Sequence, residues 1–370
     1  MILNTTKKCT LAVLFGGESS EHEISLVSTE SVLKNLDADR YRVLPVGITR
    51  EGLWWYYDGA YENIASGEWE RDTAHLTPVI LSPCKAHGGL LFFDKEKGTY
   101  RVEKIDCVFP VMHGETCEDG KLQGLLALSG MPYVGCATRS SAVTMDKIST
   151  KLLLSAYGIP QAKWTLAYRR VLNAEMESEL CRIERALPYP VFVKPSGAGS
   201  SRGVCRAENR EELKAALLCA AEFDEKILIE EAVSGSEVEV ALLERVTENG
   251  SVELFASTPG EIVPDGTFYD YDAKYVKGTS LTRAPALISV DATRRVQDLA
   301  RRIFTALDCT SLSRADFFVD GETVVFNEIN TLPGFTSISM YPKLFSHDGI
   351  AYSALLDAII DRAVKAGGKQ

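Results

Sequence analysis

No stretch of this sequence approaches the roughly 20 consecutive apolar residues that a membrane-crossing helix requires, so its 45% hydrophobic content is available for an internal core. No two cysteines are spaced as CxxC. The nine that occur are odd in number and scattered from Cys9 to Cys309, which argues against a zinc ribbon or a disulfide framework and points to a reducing cytoplasm. An excess of Lys and Arg over Asp and Glu is missing too. A formal net charge of -11 argues against a phosphate-backbone partner, and with no long apolar run neither nucleic acid nor membrane is expected as a partner. Internal repeats, low-complexity tracts and the GxxxxGK[ST] order of a P-loop are also absent. Residues 1–15 start basic and turn apolar, but the apolar run covers only 11–15 and leads into Gly-Gly-Glu without a small-residue cleavage site; it reads as a first strand.

What is present alternates between strand-like and helix-like segments. Residues 8–17 read as a buried strand ending in a glycine turn, and Ser20 with Glu23 has the spacing of a capping box that opens a helix near Glu21. Further strands are expected in YRVLPVGIT and IDCVFPVMHG, and an apolar helix in GKLQGLLALSGMPYVG. This alternation predicts an α/β fold with a parallel sheet, whose ligands gather at strand carboxyl ends, where Gly16-Gly17 and His113-Gly114 fall. A helix over 145–157 stops at Gly158 and Pro160, and others are expected around 292–307 and 351–364. The polar, aromatic PDGTFYDYDAKYVKG reads as a functional loop.

The densest candidate chemistry is SRADFFVDGETVVFNEINTLPGFT at 313–336. Asp316, Glu328 and Asn330 bring three hard oxygen donors beside the cation Arg314, a set suited to magnesium shared with nucleotide phosphates, hence Mg-ATP. Strand alternation puts Arg314 with Asp316 on one face and Glu328 with Asn330 on one face. A two-residue Asp320-Gly321 loop would pair Asp316 with Val325 and turn Glu328 away. A three-residue loop, Val319-Asp320-Gly321 with a left-handed glycine, unites the ligands and is the expected one. On composition alone, Asp316 and Glu328 read equally well as solvated strand carboxylates.

In VKPSGAGSSRGV, Lys194 ends a strand and faces a loop with Gly197, Gly199, Ser200, Ser201 and Gly203, whose amides can approach phosphate oxygens with no Cβ in the way. A flexible surface turn is the competing reading. Lys147 in MDK and Lys274 in DAKY are further phosphate cations, each alone equally a solvated lysine. ILIEEAVSGSEVEV carries a strand ending at Glu230 and Glu231, whose backbone can read an adenine edge, then Val233 and Glu237, a carboxylate for ribose hydroxyls; an ordinary interdomain turn fits these residues as well.

Eight strings, GGESSEHEISL, HGETCEDGKLQG, MDK, VKPSGAGSSRG, LIEEAVSG, GTFYDYDAKY, SRADFF and NEINTLPGFTSISMYP, resemble in order and spacing the D-alanine:D-alanine ligases of the ATP-grasp superfamily, from about residue 10 to about residue 345. The resemblance implies an N-terminal parallel-sheet α/β domain at 1–136 and two α+β domains, central at 137–233 and catalytic at 234–370, that grip ATP. It implies that Lys147, Lys194 and Lys274 hold the phosphates beside Ser201, and that Glu230, Glu231, Val233 and Glu237 surround adenine and ribose. Asp316, Glu328 and Asn330 would carry two magnesium ions, for which manganese can substitute. The first D-alanine is implied near Glu21 and Ser200, with Tyr275 completing the set and His113 alongside. Arg314 and the Gly334 amide would stabilise charge building on oxygen, and Ser339 with the Met340 amide would meet the second carboxylate. The implied reaction joins two D-alanines through an acyl phosphate, in the cytoplasm, for peptidoglycan precursor synthesis. It would be carried out by a homodimer with loops 196–203 and 266–278 as lids.

Two departures from the family pattern stand out. Cys117 sits where the family usually has glycine, so a positive φ there would strain it. Gly197-Ala198 replaces larger residues, which predicts a more mobile phosphate loop. Ligases that join D-alanine to D-serine or D-lactate share the core; an arginine at position 340 favours them, whereas apolar Met340 with Tyr275 favours D-alanine. A non-catalytic ATP-binding protein on this fold would not need Asp316, Glu328, Asn330, Arg314 and three lysines intact, and another ATP-grasp amide ligase would lack the GGxSxE corner and the TFYDYxAKY loop.

Overall fold

Apolar runs and alternating segments resolve into three sheets in the computed structural model, which describes residues 7–94, 96–263 and 281–367. The first sheet comprises β1 (Cys9–Gly16), β2 (Tyr41–Ile48), β3 (Trp54–Tyr57), β4 (Leu76–Leu81), β5 (Gly89–Asp94), β6 (Thr99–Lys104) and β7 (Cys107–Pro110), in the order β6-β5-β4-β3-β2-β1-β7. β1 is apolar almost throughout because both its faces are covered. Leu11, Val13 and Phe15 enter one core with Leu26 and Val32 of α1 (His22–Asn35), while Ala12 and Leu14 enter another. A short α2 (Tyr61–Ala65) packs beside α1, and Leu122 and Leu126 of α3 (Lys121–Ser129) join the second core.

The expected parallel pairing holds for β2-β1-β7 and is extended by an antiparallel meander through β3 to β6. Connections such as 49–53 and 95–98 are too short for a helical crossover, so those strands must turn back on themselves. The expected capping box does not form. Glu21 is the N-cap residue of α1 without a side-chain cap bond, and Glu23 pairs with Arg50 instead. Ser19 ties the corner: its hydroxyl donates to the His113 carbonyl (2.7 Å) and accepts from the Glu21 amide (3.1 Å).

The helix expected over 145–157 is two helices, α4 (Thr138–Met145) and α5 (Lys147–Ala156), because Asp146 leaves the helical conformation and caps α5 by accepting from the Ser149 amide (3.0 Å). The second sheet holds β8 (Trp164–Tyr168), β9 (Val191–Pro195), β10 (Cys205–Ala207) and β11 (Lys226–Glu231), antiparallel in the order β10-β9-β11-β8. One face is covered by α6 (Arg169–Ala186) and α7 (Arg210–Phe223).

The third sheet contains β12 (Ser236–Val246), β13 (Val252–Ala256), β14 (Gly260–Val263), β15 (Leu281–Arg283), β16 (Leu312–Asp320) and β17 (Thr323–Asn330). Val238, Val240 and Leu242 pack under α8 (Val290–Ala306), while Ala241 and Leu243 join α9 (Met340–His347) and α10 (Tyr352–Gly367) in the core shared with the first sheet.

The β16-β17 hairpin overturns the expected three-residue loop. Asp320 pairs with Thr323, leaving the two-residue loop Gly321-Glu322 with Gly321 at φ 57°. Parity alone would then turn Glu328 to the far face. A β-bulge between Asp316 and Phe317 lets Asn327 stand extra in β17, and the register shifts by one, so that Asp316 pairs with Glu328 and Arg314 with Asn330. The ligands share a face because of the bulge, not the turn.

Candidate active site

Three neighbouring strands set a row of carboxylates in register, Glu239 on β12, Asp316 on β16 and Glu328 on β17. Glu239 and Asp316 are buried. Arg314 grips Asp316 with two hydrogen bonds, Nε to Oδ1 at 2.8 Å and Nη2 to Oδ2 at 2.7 Å, and its Nε lies 3.1 Å from Glu239. Burial works against the guanidinium charge, but Asp316 and Glu239 more than offset it and hold Arg314 well above its usual range. One guanidinium thus faces three carboxylates, a surplus of negative charge in a partly desolvated place. Among the described residues no group of three or more His, Cys, Asp or Glu is disposed to hold a metal on its own. The hard oxygens of Asp316, Glu328 and Asn330, beside this surplus of negative charge, have the chemistry to share the shell of a hard cation with phosphate and water, as magnesium requires. The Asn330 amide oxygen accepts from the Leu332 amide at 2.8 Å, which fixes its direction. Glu239 was not singled out from sequence; its signal was the Glu-Val-Glu alternation that puts it on the face of Glu237, opposite the core residues Val238 and Val240.

At the corner after β1, Glu21 is buried beside two glycines. A Cβ on Gly199 would come to 3.0 Å from the Glu21 Oε1, so a side chain there would push the Glu21 carboxylate aside by a few tenths of an ångström, and glycine lets the loop 196–203 approach that carboxylate undisturbed. His113 is buried and links two parts of the chain: its Nδ1 lies 3.2 Å from the Leu332 carbonyl and its Nε2 lies 3.2 Å from the Ser28 hydroxyl. Burial lowers its pKa, which favours a neutral ring with the Nδ1 proton donated to Leu332.

Glu118 was missed by sequence reasoning, hidden in the acidic string GETCEDG. Its Oε1 accepts from the Gly114 amide at 2.9 Å. Burial, and then the Glu21 charge, push its carboxyl up to about 8 from 4.5. The folded chain therefore keeps a proton that the unfolded chain releases near pH 4.5, so the stability this group contributes is present below that pH and is lost as pH rises towards 8. His113 acts oppositely, costing stability only as pH falls through about 6.5. Glu118→Gln cannot ionise, so its Tm should fall less than wild type between pH 7 and 9. Parallel Tm curves for the two proteins would mean that Glu118 is already ionised in the folded state.

Cys117 does not adopt a positive φ, so the expected strain falls elsewhere, on Thr116 at φ 67°. The Cys117 side chain is buried and its thiol is pushed up to about 12, which makes it a packing residue.

In the glycine-rich loop, Ser200 and Ser201 are left-handed at φ 50° and 56°, a strained arrangement of the kind found at ligand-binding loops. The loop is tethered at its start: the Gly197 amide donates to Asp224 (2.7 Å), the Ser196 hydroxyl to Asp146 (2.6 Å), and Lys147 Nζ to the Ala198 carbonyl (2.7 Å). Lys194 pairs with Glu230 at 2.8 Å. On the other side of the site, the Ser339 hydroxyl accepts from the Thr336 amide (3.0 Å) at the start of α9, and a Cβ on Gly334 would lie 2.8 Å from it.

Two cavities gather these side chains. A smaller one of about 190 Å3 is lined by Glu21, His113 and Arg314, and on its far wall by Asn330, Gly334, Ser339 and Met340. A larger cleft of about 430 Å3 is lined by Lys194, Ser201, Glu230, Glu231, Val233 and Glu237. Lys147, Ser200, Ile262 and Glu328 line both. Asp316 stands behind Arg314. Lys274 and Tyr275, with the whole of the expected second lid, lie outside the described residues.

Two family models match the chain, "D-ala D-ala ligase N-terminus" over residues 10–136 and "D-ala D-ala ligase C-terminus" over residues 153–361. A D-alanine–D-alanine ligase of Acetivibrio thermocellus is 46% identical over 97% of this chain and 96% of its own length. One from Clostridium novyi is 46% identical over 98% of this chain and 100% of its own. Among solved structures, VanG D-Ala:D-Ser ligase from Enterococcus faecalis is similar at a TM-score of 0.86 and 39% identity, covering 96% of this chain and 100% of that one. The D-alanine-D-alanine ligase from Coxiella burnetii is similar at a TM-score of 0.81 and 32% identity, covering 99% and 96%.

Proposed function

This chain belongs to the D-alanine–D-alanine ligase family, and from that premise we propose that it joins two D-alanines into D-alanyl-D-alanine with ATP, for peptidoglycan precursors. The observation that carries this reading is the wall shared by the two cavities, formed by Lys147, Ser200, Ile262 and Glu328. A phosphoryl group leaving a nucleotide in the larger cleft can meet a carboxylate in the smaller one without crossing bulk solvent.

A carboxylate is a poor acyl donor because its leaving group would be oxide. In the first step its oxygen bonds to the γ-phosphorus as the bond to the bridging oxygen breaks and ADP departs, giving an acyl phosphate. In the second, the amine of the other D-alanine attacks the acyl carbon, loses a proton, and phosphate leaves with the C–O electrons. Water exclusion protects the acyl phosphate meanwhile.

Glu21, with Ser200, suits the ammonium of the first D-alanine, and neutral His113 borders it. The Arg314 guanidinium and the Gly334 amide are the candidates to stabilise negative charge building on oxygen. The Ser339 hydroxyl and the first turn of α9, beginning at Met340, offer donors for the second carboxylate. Lys147, Lys194 and Ser201 are assigned to phosphates, and Glu231, Val233 and Glu237 to adenine and ribose. Glu230 would meet the nucleotide by its main chain, since its carboxylate is held by lysines. Asp316, Glu328 and Asn330 are the magnesium donors; two bound ions, or manganese in their stead, would neutralise charge on the transferring phosphoryl group. Lys274 and Tyr275 keep the phosphate and closing-loop roles of the family pattern. A cytoplasmic setting is supported by nine free cysteines. A homodimer, and domains at 1–136, 137–233 and 234–370, are proposed from family membership alone.

The likeness to VanG favours a second reading, D-serine as the acceptor. ATP-dependent phosphate release with D-alanine alone, and with added D-serine or D-lactate, separates the two when the product is identified by mass. D-alanyl-D-alanine from D-alanine alone is expected. A mixed dipeptide made in preference would transfer the assignment to D-serine or D-lactate, and no turnover with any pair would end the ligase reading.

A further inference from the structure

Behind the nucleotide cleft lies a buried charge trio that the reaction scheme does not use. Lys151, one helical turn after Lys147 on α5, is 2% exposed. Its Nζ lies 2.5 Å from Glu230 Oε1, while Lys194 Nζ lies 2.8 Å from Glu230 Oε2. Glu230 and Lys194 line the cleft; Lys151 does not. A lysine so enclosed is costly, and a well-packed apolar residue of similar shape is often at least as stable, so stability alone is a weak reason for it.

We propose that Lys151 is a positioning residue for the nucleotide: by taking one oxygen of Glu230 it keeps that carboxylate from neutralising Lys194, so the trio presents a net positive charge to the polyphosphate. The count is direct. Two ammonium groups against one carboxylate leave one positive charge, and of the two ammonium groups Lys194 is the one that lines the cleft. Without Lys151, Glu230 and Lys194 form a neutral pair, and Lys194 is held back by a carboxylate with no other partner. Glu230 is held low, at about 2, by the two lysines despite its burial, and Lys194 is held up by Glu230 and then Glu328 and Glu237 against its own; burial pulls Lys151 down, and the Glu230 carboxylate 2.5 Å away opposes that and favours its ammonium form.

This inference rests on the nucleotide reading of the larger cleft, and a charge cycle tests it separately. Lys151→Met should raise both the KM for ATP and the Kd for ATP with magnesium by about tenfold, as loss of one charge at that range in a partly screened site predicts. Its kcat and its KM for D-alanine should stay within about threefold of wild type. Adding Glu230→Gln to Lys151→Met restores the net charge of the trio and should bring ATP affinity back to within about threefold of wild type. A merely structural lysine predicts the reverse, a double variant no better than the single one. If Lys151→Met does not fold, Lys151→Gln, which is polar but carries no charge, takes its place with the same expected outcomes. Unchanged ATP affinity in the single variant, or no recovery in the double, overturns the proposal. Wild type that binds ATP but ligates no D-amino acid would instead overturn the ligase reading and leave the cycle interpretable.

Discussion

Glu328→Gln should lower kcat/KM by roughly 10^2- to 10^3-fold, the size expected when a group that stabilises transferring charge is lost, and should raise the half-saturating magnesium concentration at least about tenfold. Glu328 is the carboxylate common to both cavities. It is also the cross-strand partner of Asp316, so its charge acts where phosphoryl transfer is proposed. Glutamine preserves its size and one oxygen, leaving the fold intact while removing a charge from the donor set. Phosphate release measured against magnesium concentration checks this, with Tm as the control. A metal dependence identical to wild type would remove Glu328 from the ligand set.

Arg314→Met should cost about 3–5 kcal/mol of stability, the usual loss when one partner of a buried ion pair is removed. Its carboxylate partners are nearly inaccessible, Asp316 at 1% and Glu239 at 3% exposed, so water cannot take over the role of the guanidinium. Arg314→Lys should lie between, because an ammonium cannot reproduce the two parallel bonds to Asp316. Urea unfolding reads the effect as a lower midpoint at unchanged slope. Magnesium should recover part of the loss in Arg314→Met, since a cation that binds the folded carboxylates stabilises the fold by linkage. A variant as stable as wild type would show that the carboxylate row does not depend on Arg314 for its charge balance.

Short strings carried the chemical signal because catalysis needs particular atoms at short range. Asp316, Glu328 and Asn330 lie within one hairpin, Gly199 and Ser200 within one loop, and Gly16-Gly17 precedes Glu21 by a few residues. Local spacing and the absence of a Cβ are properties of the chain itself, and they made these segments readable. The class of fold and the family followed from the order of those strings.

Other features could not be read locally. The expected hairpin loop had the wrong length, and only the bulge at Asn327 returned Glu328 to the face of Asp316, because register depends on where hydrogen bonds of a whole strand pair settle. The capping box at Ser20 and Glu23 gave way to bonds from Ser19 to His113 and from Arg50 to Glu23, partners distant in sequence.

By itself, then, the sequence determined which residue types stand at which spacing, and with them a nucleotide-using ligase of this family. Tertiary structure alone decided that Glu239 joins the carboxylate row, that Glu118 keeps its proton towards pH 8, and that Glu230 turns its carboxylate to Lys151. The reason is physical: burial and charge balance are set by groups that folding brings together from far along the chain, and no local pattern encodes which of them will meet.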